Sequence, residues 1–274
     1  MSTDRRPIGC FDSGVGGLTV VRRLLELLPR ESVHYFGDTA RLPYGSKTRP
    51  TIIQFSIENT RWLVEQDVKA VVVACNTSTA LALDAIRARF DLPVIGVIEP
   101  GARAAARITR SGRVGVIATR ATVGSRAYSR AIKAVSKKIE VFERSCPLFV
   151  PLAEEGWLEH PAALEVAREY LSPLKRHKVD TLVMGCTHYP LLRGVIQQVM
   201  GPGVKLIDSG EEAAGEARRV LKMEGLLAPR GAVARHEFAL SDVPGRFTEV
   251  GSRFLGQTLR KVRRVTHEDG AWRI

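Results

Sequence analysis

Two cysteines stand in matching surroundings. Val71-Val72-Val73-Ala74-Cys75-Asn76-Thr77 and Leu182-Val183-Met184-Gly185-Cys186-Thr187-His188 each run from apolar residues through a small one to cysteine and then two polar residues. A short apolar run bounded in this way reads as a strand buried on both faces. Each thiol therefore falls where a buried parallel strand hands over to a helix, the edge at which open α/β sheets bind ligands. Facing thiols permit a specific chemistry. A thiolate removes a proton from one face of a carbon and a thiol returns one to the other face, inverting the centre without a cofactor. A free thiol titrates near about 8.5 and needs help to ionise at neutrality. The N–H groups opening a following helix would supply it. Thr77, Ser78 and Thr79 suit an N-cap after Cys75, and Pro190 suits the first turn after Cys186. Cys10 and Cys146 lack this setting and read as inert buried thiols. There is no Cys-x-x-Cys or paired-histidine spacing, so no metal is expected. A redox pair of Cys75 and Cys186 stays open if their strands approach closely.

Other polar residues gather at strand ends. Asp12-Ser13-Gly14-Val15-Gly16-Gly17 follows an apolar run, but its glycines miss the dinucleotide spacing and no P-loop lysine follows. The turn can still offer N–H groups to a carboxylate, with the Ser13 hydroxyl as donor and Asp12 as proton acceptor or helix N-cap. His188, two residues past Cys186, is placed to shuttle a proton or to brace a helix start. Glu154, in an apolar proline-flanked stretch, is either its partner or a surface carboxylate.

The elements that must position these groups alternate throughout. Strands are expected at Ile8–Phe11, Val33–Asp38, Val68–Ala74 and Val94–Ile98, then at Arg113–Ala118, Ile139–Phe142, Val179–Met184 and Val204–Asp208. Helical periods fall at Leu18–Leu28, Ile52–Gln66, Cys75 to about Phe90, from about Ser125, Ala162–His177, Leu191–Met200 and Ser209–Met223. Thr39–Ser46 and Val150–Gly156 read as loops, Thr119–Thr122 as a polar turn, and Arg235–Leu240 and Thr248–Val250 as late strands. Cys186 follows Cys75 by 111 residues, Val179 follows Val68 by 111, and Val204 follows Val94 by 110. Near-constant spacing means a duplicated unit. The fold class is α/β: two pseudo-symmetric lobes, each a mainly parallel sheet flanked by helices, with the active site between them. With the tail packed back on the first lobe, residues 1–98 and 209–274 form one lobe and 99–208 the other.

The chain has 274 residues, 45% hydrophobic and 26% charged, ordinary for a globular protein with sizeable cores. No apolar run approaches the roughly 20 residues of a membrane span. Met1–Pro7 has no apolar core behind its arginines, so no signal peptide is expected. Four scattered cysteines do not make a disulfide framework, and we expect a cytoplasmic protein with reduced thiols. Of the net charge of +12, residues 101–150 contribute eleven Lys/Arg against Glu140 and Glu143. Such a face suits nucleic acid, acidic protein or an anionic metabolite. With only Tyr128 and Phe142 as aromatics there, a solvated surface is the preferred reading.

Together, Phe11-Asp12-Ser13-Gly14-Val15-Gly16-Gly17-Leu18, Pro43-Tyr44-Gly45, Cys75-Asn76-Thr77, Cys146-Pro147-Leu148-Phe149-Val150-Pro151-Leu152 and Gly185-Cys186-Thr187-His188-Tyr189-Pro190 resemble the glutamate racemases from Ile8 to about Glu212. The last fifty residues resemble them only loosely. The resemblance implies glutamate held between two lobes, no cofactor, and D-glutamate supplied to cell-wall peptidoglycan. It makes Cys75 and Cys186 the acid/base thiols, with Asp12 assisting Cys75, and Glu154 and His188 assisting Cys186. It gives Asp12, Ser13, Tyr44, Gly45, Asn76, Thr77, Thr187 and His188 the substrate's carboxylates and ammonium. Thr119 is a further contact, while Arg120 has no mapped role. A homodimer without membrane partners is expected. An aspartate racemase on the same scaffold is the rival reading.

Overall fold

The computed structural model describes residues 3–243, 245–268 and 271–273; Met1, Ser2 and Ile274, at the ends of the expected first lobe, lie outside them. The first half runs β1 (Ile8–Asp12), α1 (Leu18–Leu27), β2 (Val33–Gly37), α2 (Arg49–Glu65), β3 (Ala70–Val73), α3 (Asn76–Arg89), β4 (Val94–Gly96) and α4 (Ile98–Ile108). The second runs β5 (Arg113–Ala118), α5 (Arg120–Ser125), α6 (Ala127–Val135), β6 (Glu140–Ser145), α7 (Phe149–Glu154), α8 (Pro161–Arg176), β7 (Thr181–Gly185), α9 (Arg193–Met200) and β8 (Lys205–Asp208). The tail adds α10 (Ser209–Met223), β9 (His236–Leu240), α11 (Phe247–Leu255), β10 (Val262–Arg264), β11 (Thr266–Glu268) and β12 (Ala271–Arg273).

Two wholly parallel sheets result, as the doubled pattern predicts. One has the order β10-β9-β2-β1-β3-β4 and the other β6-β5-β7-β8. Without β9 and β10 the two orders are the same, each cysteine strand lying second from one edge. Residues 70–73 and 181–185 are buried throughout, which is why they read as unbroken apolar runs rather than alternating ones. Burying one such valine side chain contributes about 1.5–3 kcal/mol. The tail strand β9 pairs with β2, and α10 packs against both α1 and α4, so the chain returns across the seam between the sheets.

The register exposes a break in the symmetry. Phe11 pairs with Val73 and Ile117 with Met184, and both partners stand two residues before a cysteine. Asp12 in the first sheet is therefore matched by Ala118 in the second.

Four local readings need correction. Val150–Gly156 was expected as a loop, but Phe149–Glu154 is helical, because Pro151 sits in the first turn, where no intrahelical N–H is needed. Thr248–Val250 was expected as a strand but lies in α11, whose apolar residues 247, 250, 254 and 255 share a face and which stops at Gly256 with φ +73°. The strand read as Val94–Ile98 ends at Gly96, where a Cβ would come within 2.7 Å of Thr79 Cγ2, and α4 starts two residues later. The turn expected at Thr119–Thr122 is already the cap and first turn of α5, with a break at Arg126 (φ +56°) before α6.

Candidate active site

Cys75 is the N-cap of α3, and its sulfur accepts from the Ser78 N–H at 3.5 Å. Its thiol donates toward Ser13 Oγ at 3.9 Å, and the residue is 5% exposed. Burial, reinforced by the nearby Asp12 charge, pushes this thiol up to about 12 despite the donors of α3. Asp12 itself is buried. Its Oδ2 accepts from the N–H groups of Gly17 (3.0 Å) and Gly14 (3.2 Å), while Oδ1 has no partner among the described residues. Burial raises the Asp12 carboxyl, opposed first by the charge on His188.

Cys186 is built differently. Its strand is followed by a 3₁₀ turn, Tyr189–Leu192, and the α-helix begins only at Arg193. The helix N-terminus expected at this thiol is absent; Pro190 opens the 3₁₀ turn instead. A side-chain relay takes its place. Cys186 Sγ lies 3.9 Å from His188 Nδ1, and His188 Nε2 is 2.9 Å from Glu154 Oε1. Burial pulls the imidazole down, but its bonds to Cys186 and Glu154 outweigh that and push it up to about 10. That raised value favours the charged form of the imidazole, the form that would offer a countercharge to the sulfur beside it.

The two halves interlock. Thr19 Oγ1 donates to the Thr187 carbonyl (2.9 Å), and Thr77, Thr119 and Thr122 share hydroxyl contacts of 3.0–3.3 Å. Gly16 has to be glycine, since a Cβ there would meet Thr187 Oγ1 at 2.2 Å and His188 Nδ1 at 2.5 Å. From the tail, Arg253 donates to the Glu154 carbonyl at 3.1 Å and the Phe254 ring stands edge-on to His188 at 5.1 Å.

These elements enclose a cavity of about 240 Å³ lined by Asp12, Ser13, Tyr44, Gly45, Cys75, Asn76, Thr77, Thr119, Cys186, Thr187 and His188. All the expected site residues but Glu154 line it, and Glu154 reaches it through His188. Tyr44 contributes without its hydroxyl, which donates to Asp38 and accepts from Asn59. Pro43, Pro147, Val150 and Pro151 add an apolar wall, and Arg120 is the one arginine in the lining. Sequence reasoning passed over Tyr128, whose hydroxyl donates to Asn76 Oδ1 at 2.6 Å; nothing in the local pattern marks it, because the contact joins residues 52 apart. All four cysteines are free thiols, Cys10 and Cys146 buried away from the lining.

The Asp/Glu/hydantoin racemase family model matches residues 12–217. A glutamate racemase of Geobacter metallireducens is 52% identical across 96% of this chain and 97% of its own. The solved glutamate racemase of Francisella tularensis, in complex with D-glutamate, superposes with a TM-score of 0.90 at 39% identity, covering 96% of this chain and 98% of that one. The Thermus thermophilus glutamate racemase, in complex with beta-chloro-D-alanine, gives 0.87 at 47%, with 96% and 97% covered. The likeness covers nearly the whole chain, and the chain belongs to the Asp/Glu/hydantoin racemase family, among its glutamate racemases.

Proposed function

We propose that the protein interconverts L- and D-glutamate by a two-thiol acid/base mechanism, supplying D-glutamate for peptidoglycan precursors. The observation that carries this reading is the pair of buried cysteines at equivalent strand ends of two like sheets, both lining one cavity. One sulfur, as thiolate, takes the α-proton and becomes a thiol, leaving a carbanion at Cα. The opposite thiol delivers its proton to the other face and becomes the thiolate. Atoms balance within the site, and no electrons are exchanged with a cofactor.

The α-proton of an amino acid is weakly acidic, so oriented donors and exclusion of water must stabilise the developing charge. Ser13, Gly45, Asn76, Thr77, Thr119 and Thr187 offer N–H or O–H donors to the two carboxylates, and the unpartnered Asp12 Oδ1 suits the ammonium. Asp12 assists Cys75, and His188 with Glu154 assists Cys186. Residues 1–98 with 209–274, and 99–208, form the two bodies that close over the substrate.

Circular dichroism of L- and of D-glutamate in reducing buffer tests the reading. Both signals should decay to zero while solvent deuterium enters Cα. Decay with aspartate but not glutamate would keep the mechanism and change the substrate. A homodimer and a cytoplasmic location belong to the same proposal, checked by sedimentation and cell fractionation. On the basic 101–150 face, Arg103 and Arg107 pair with Glu216 (2.8 Å) and Glu212 (3.8 Å), which favours a solvated surface. A DNA mobility shift that weakens steeply with salt would reverse that view.

A further inference from the structure

Tyr128 lies on α6 and is 1% exposed, yet its hydroxyl crosses the seam to Asn76, the first residue of α3 and the neighbour of Cys75. Its ring passes beside Gly185, the residue before Cys186, where a Cβ would come within 2.8 Å of Tyr128 Cε2. One buried side chain thus touches the residue next to each thiol. Asn76 is 3% exposed and lines the cavity; with Oδ1 held by Tyr128, its Nδ2 has no partner among the described residues.

We infer that Tyr128 is a positioning residue that locks the Asn76 amide so that Nδ2 donates to a carboxylate of the bound amino acid. An amide has two orientations differing by exchange of oxygen and nitrogen. Only one lets Oδ1 accept from the tyrosine while Nδ2 faces an anion. The reverse orientation would set Oδ1 against the carboxylate. Burial raises the Tyr128 hydroxyl above its ordinary range, which keeps the proton on the oxygen that donates to Asn76. The link also ties the cavity floor of the first sheet to a helix of the second, so the donor is set only when the two sheets are correctly seated. This inference rests on reading Asn76 as a substrate contact.

A double-mutant cycle with Tyr128→Phe and Asn76→Ala tests it, the fold of each variant checked by near-ultraviolet circular dichroism. Phenylalanine keeps the ring against Gly185 and removes only the hydroxyl. Tyr128→Phe should raise KM for both enantiomers about tenfold, the scale of a weakened hydrogen bond to a charged group, with kcat within about twofold. In the Asn76→Ala background the same change should add nothing to KM. An equal KM penalty in both backgrounds would make Tyr128 merely structural and overturn the inference. An unchanged KM in Tyr128→Phe, where Asn76→Ala raises it, would overturn the inference and leave Asn76 as a contact. An unchanged KM in Asn76→Ala would overturn both. In the wild-type protein, the Asn76 side-chain amide protons should shift on adding glutamate; a fixed resonance at saturation would also overturn the inference.

Discussion

The two half-sites share a frame and differ in their chemistry. Cys75 sits between a helix start and a carboxylate: the thiol caps a 14-residue helix, whose N–H groups favour the thiolate, and buried Asp12, whose charge opposes it, stands at the end of the neighbouring strand. Around Cys186 the matching strand ends in Ala118, the α-helix starts seven residues after the cysteine instead of one, and the nearby polar groups are His188 and its partner Glu154. The first arrangement favours the thiol form of its sulfur, through burial and the nearby Asp12 charge, while the second sets beside its sulfur an imidazole whose bonds to Cys186 and Glu154 favour its charged form. Racemisation needs one acid and one base at every instant. A perfectly symmetric pair would have to break its symmetry at each turnover, whereas this site begins with it broken. Under the proposed mechanism, the like strand ends give the opposed positions, and the differences at Ala118 and Glu154 give the opposed roles.

The largest test of this comparison is to remove either sulfur. Cys75→Ser and Cys186→Ser should each lower racemisation by about 10³-fold or more, since each deletes a general acid/base. Near-wild-type kcat/KM in either variant would break the two-thiol account. Next come the assisting groups: Asp12→Asn and Glu154→Gln should each cost about 10²-fold, measured by the decay of optical signal. Because the two enantiomers are equal in energy, kcat/KM must fall equally in both directions, so a rate alone cannot show which half was damaged.

A smaller effect is expected where the halves touch. Gly16→Ala forces a methyl onto Thr187 and His188 and should destabilise the fold by about 1–3 kcal/mol, read as a lowered Tm. The pH dependence follows from His188, whose folded value near 10 stands above its ordinary 6.5. The imidazolium stabilises the fold fully below pH 6.5, and that contribution is lost as pH rises towards 10. The Tm gap between wild type and His188→Gln should therefore narrow across that window; a constant gap would place the relay's worth elsewhere. The smallest effect belongs to Arg246–Glu155, an ion pair of 3.3 Å across the same seam with both side chains 60% exposed. Arg246→Ala should change stability by less than about 1 kcal/mol and leave catalysis untouched.

Much of this was legible in the chain because buried parallel strands and their edge residues leave local marks. The apolar runs before Cys75 and Cys186, the glycines after Asp12 and the repeat spacing were enough to place both thiols in one cavity. What escaped depends on partners far away in sequence. Tyr128 reads as an ordinary helix residue until Asn76 is beside it, and Ala118 means nothing until the register matches it with Asp12. The helix at Phe149–Glu154 was masked by Pro151, which breaks helices in their middle but not in their first turn. The late start of the α-helix after Cys186 was hidden too, because Pro190 suits a 3₁₀ turn as well as an α-helical one. That last miss matters most, because it concealed the difference between the half-sites.

Substrate α-deuterium isotope effects measured in both directions decide whether the two halves serve opposite faces of the substrate. Weakening one thiol makes its own proton abstraction more rate-limiting and the opposite abstraction less so. Asp12→Asn should therefore enlarge the isotope effect for one enantiomer and shrink it for the other, and Glu154→Gln should do the reverse. If both variants enlarge it for the same enantiomer, or change both directions alike, the division of labour between Cys75 and Cys186 is wrong.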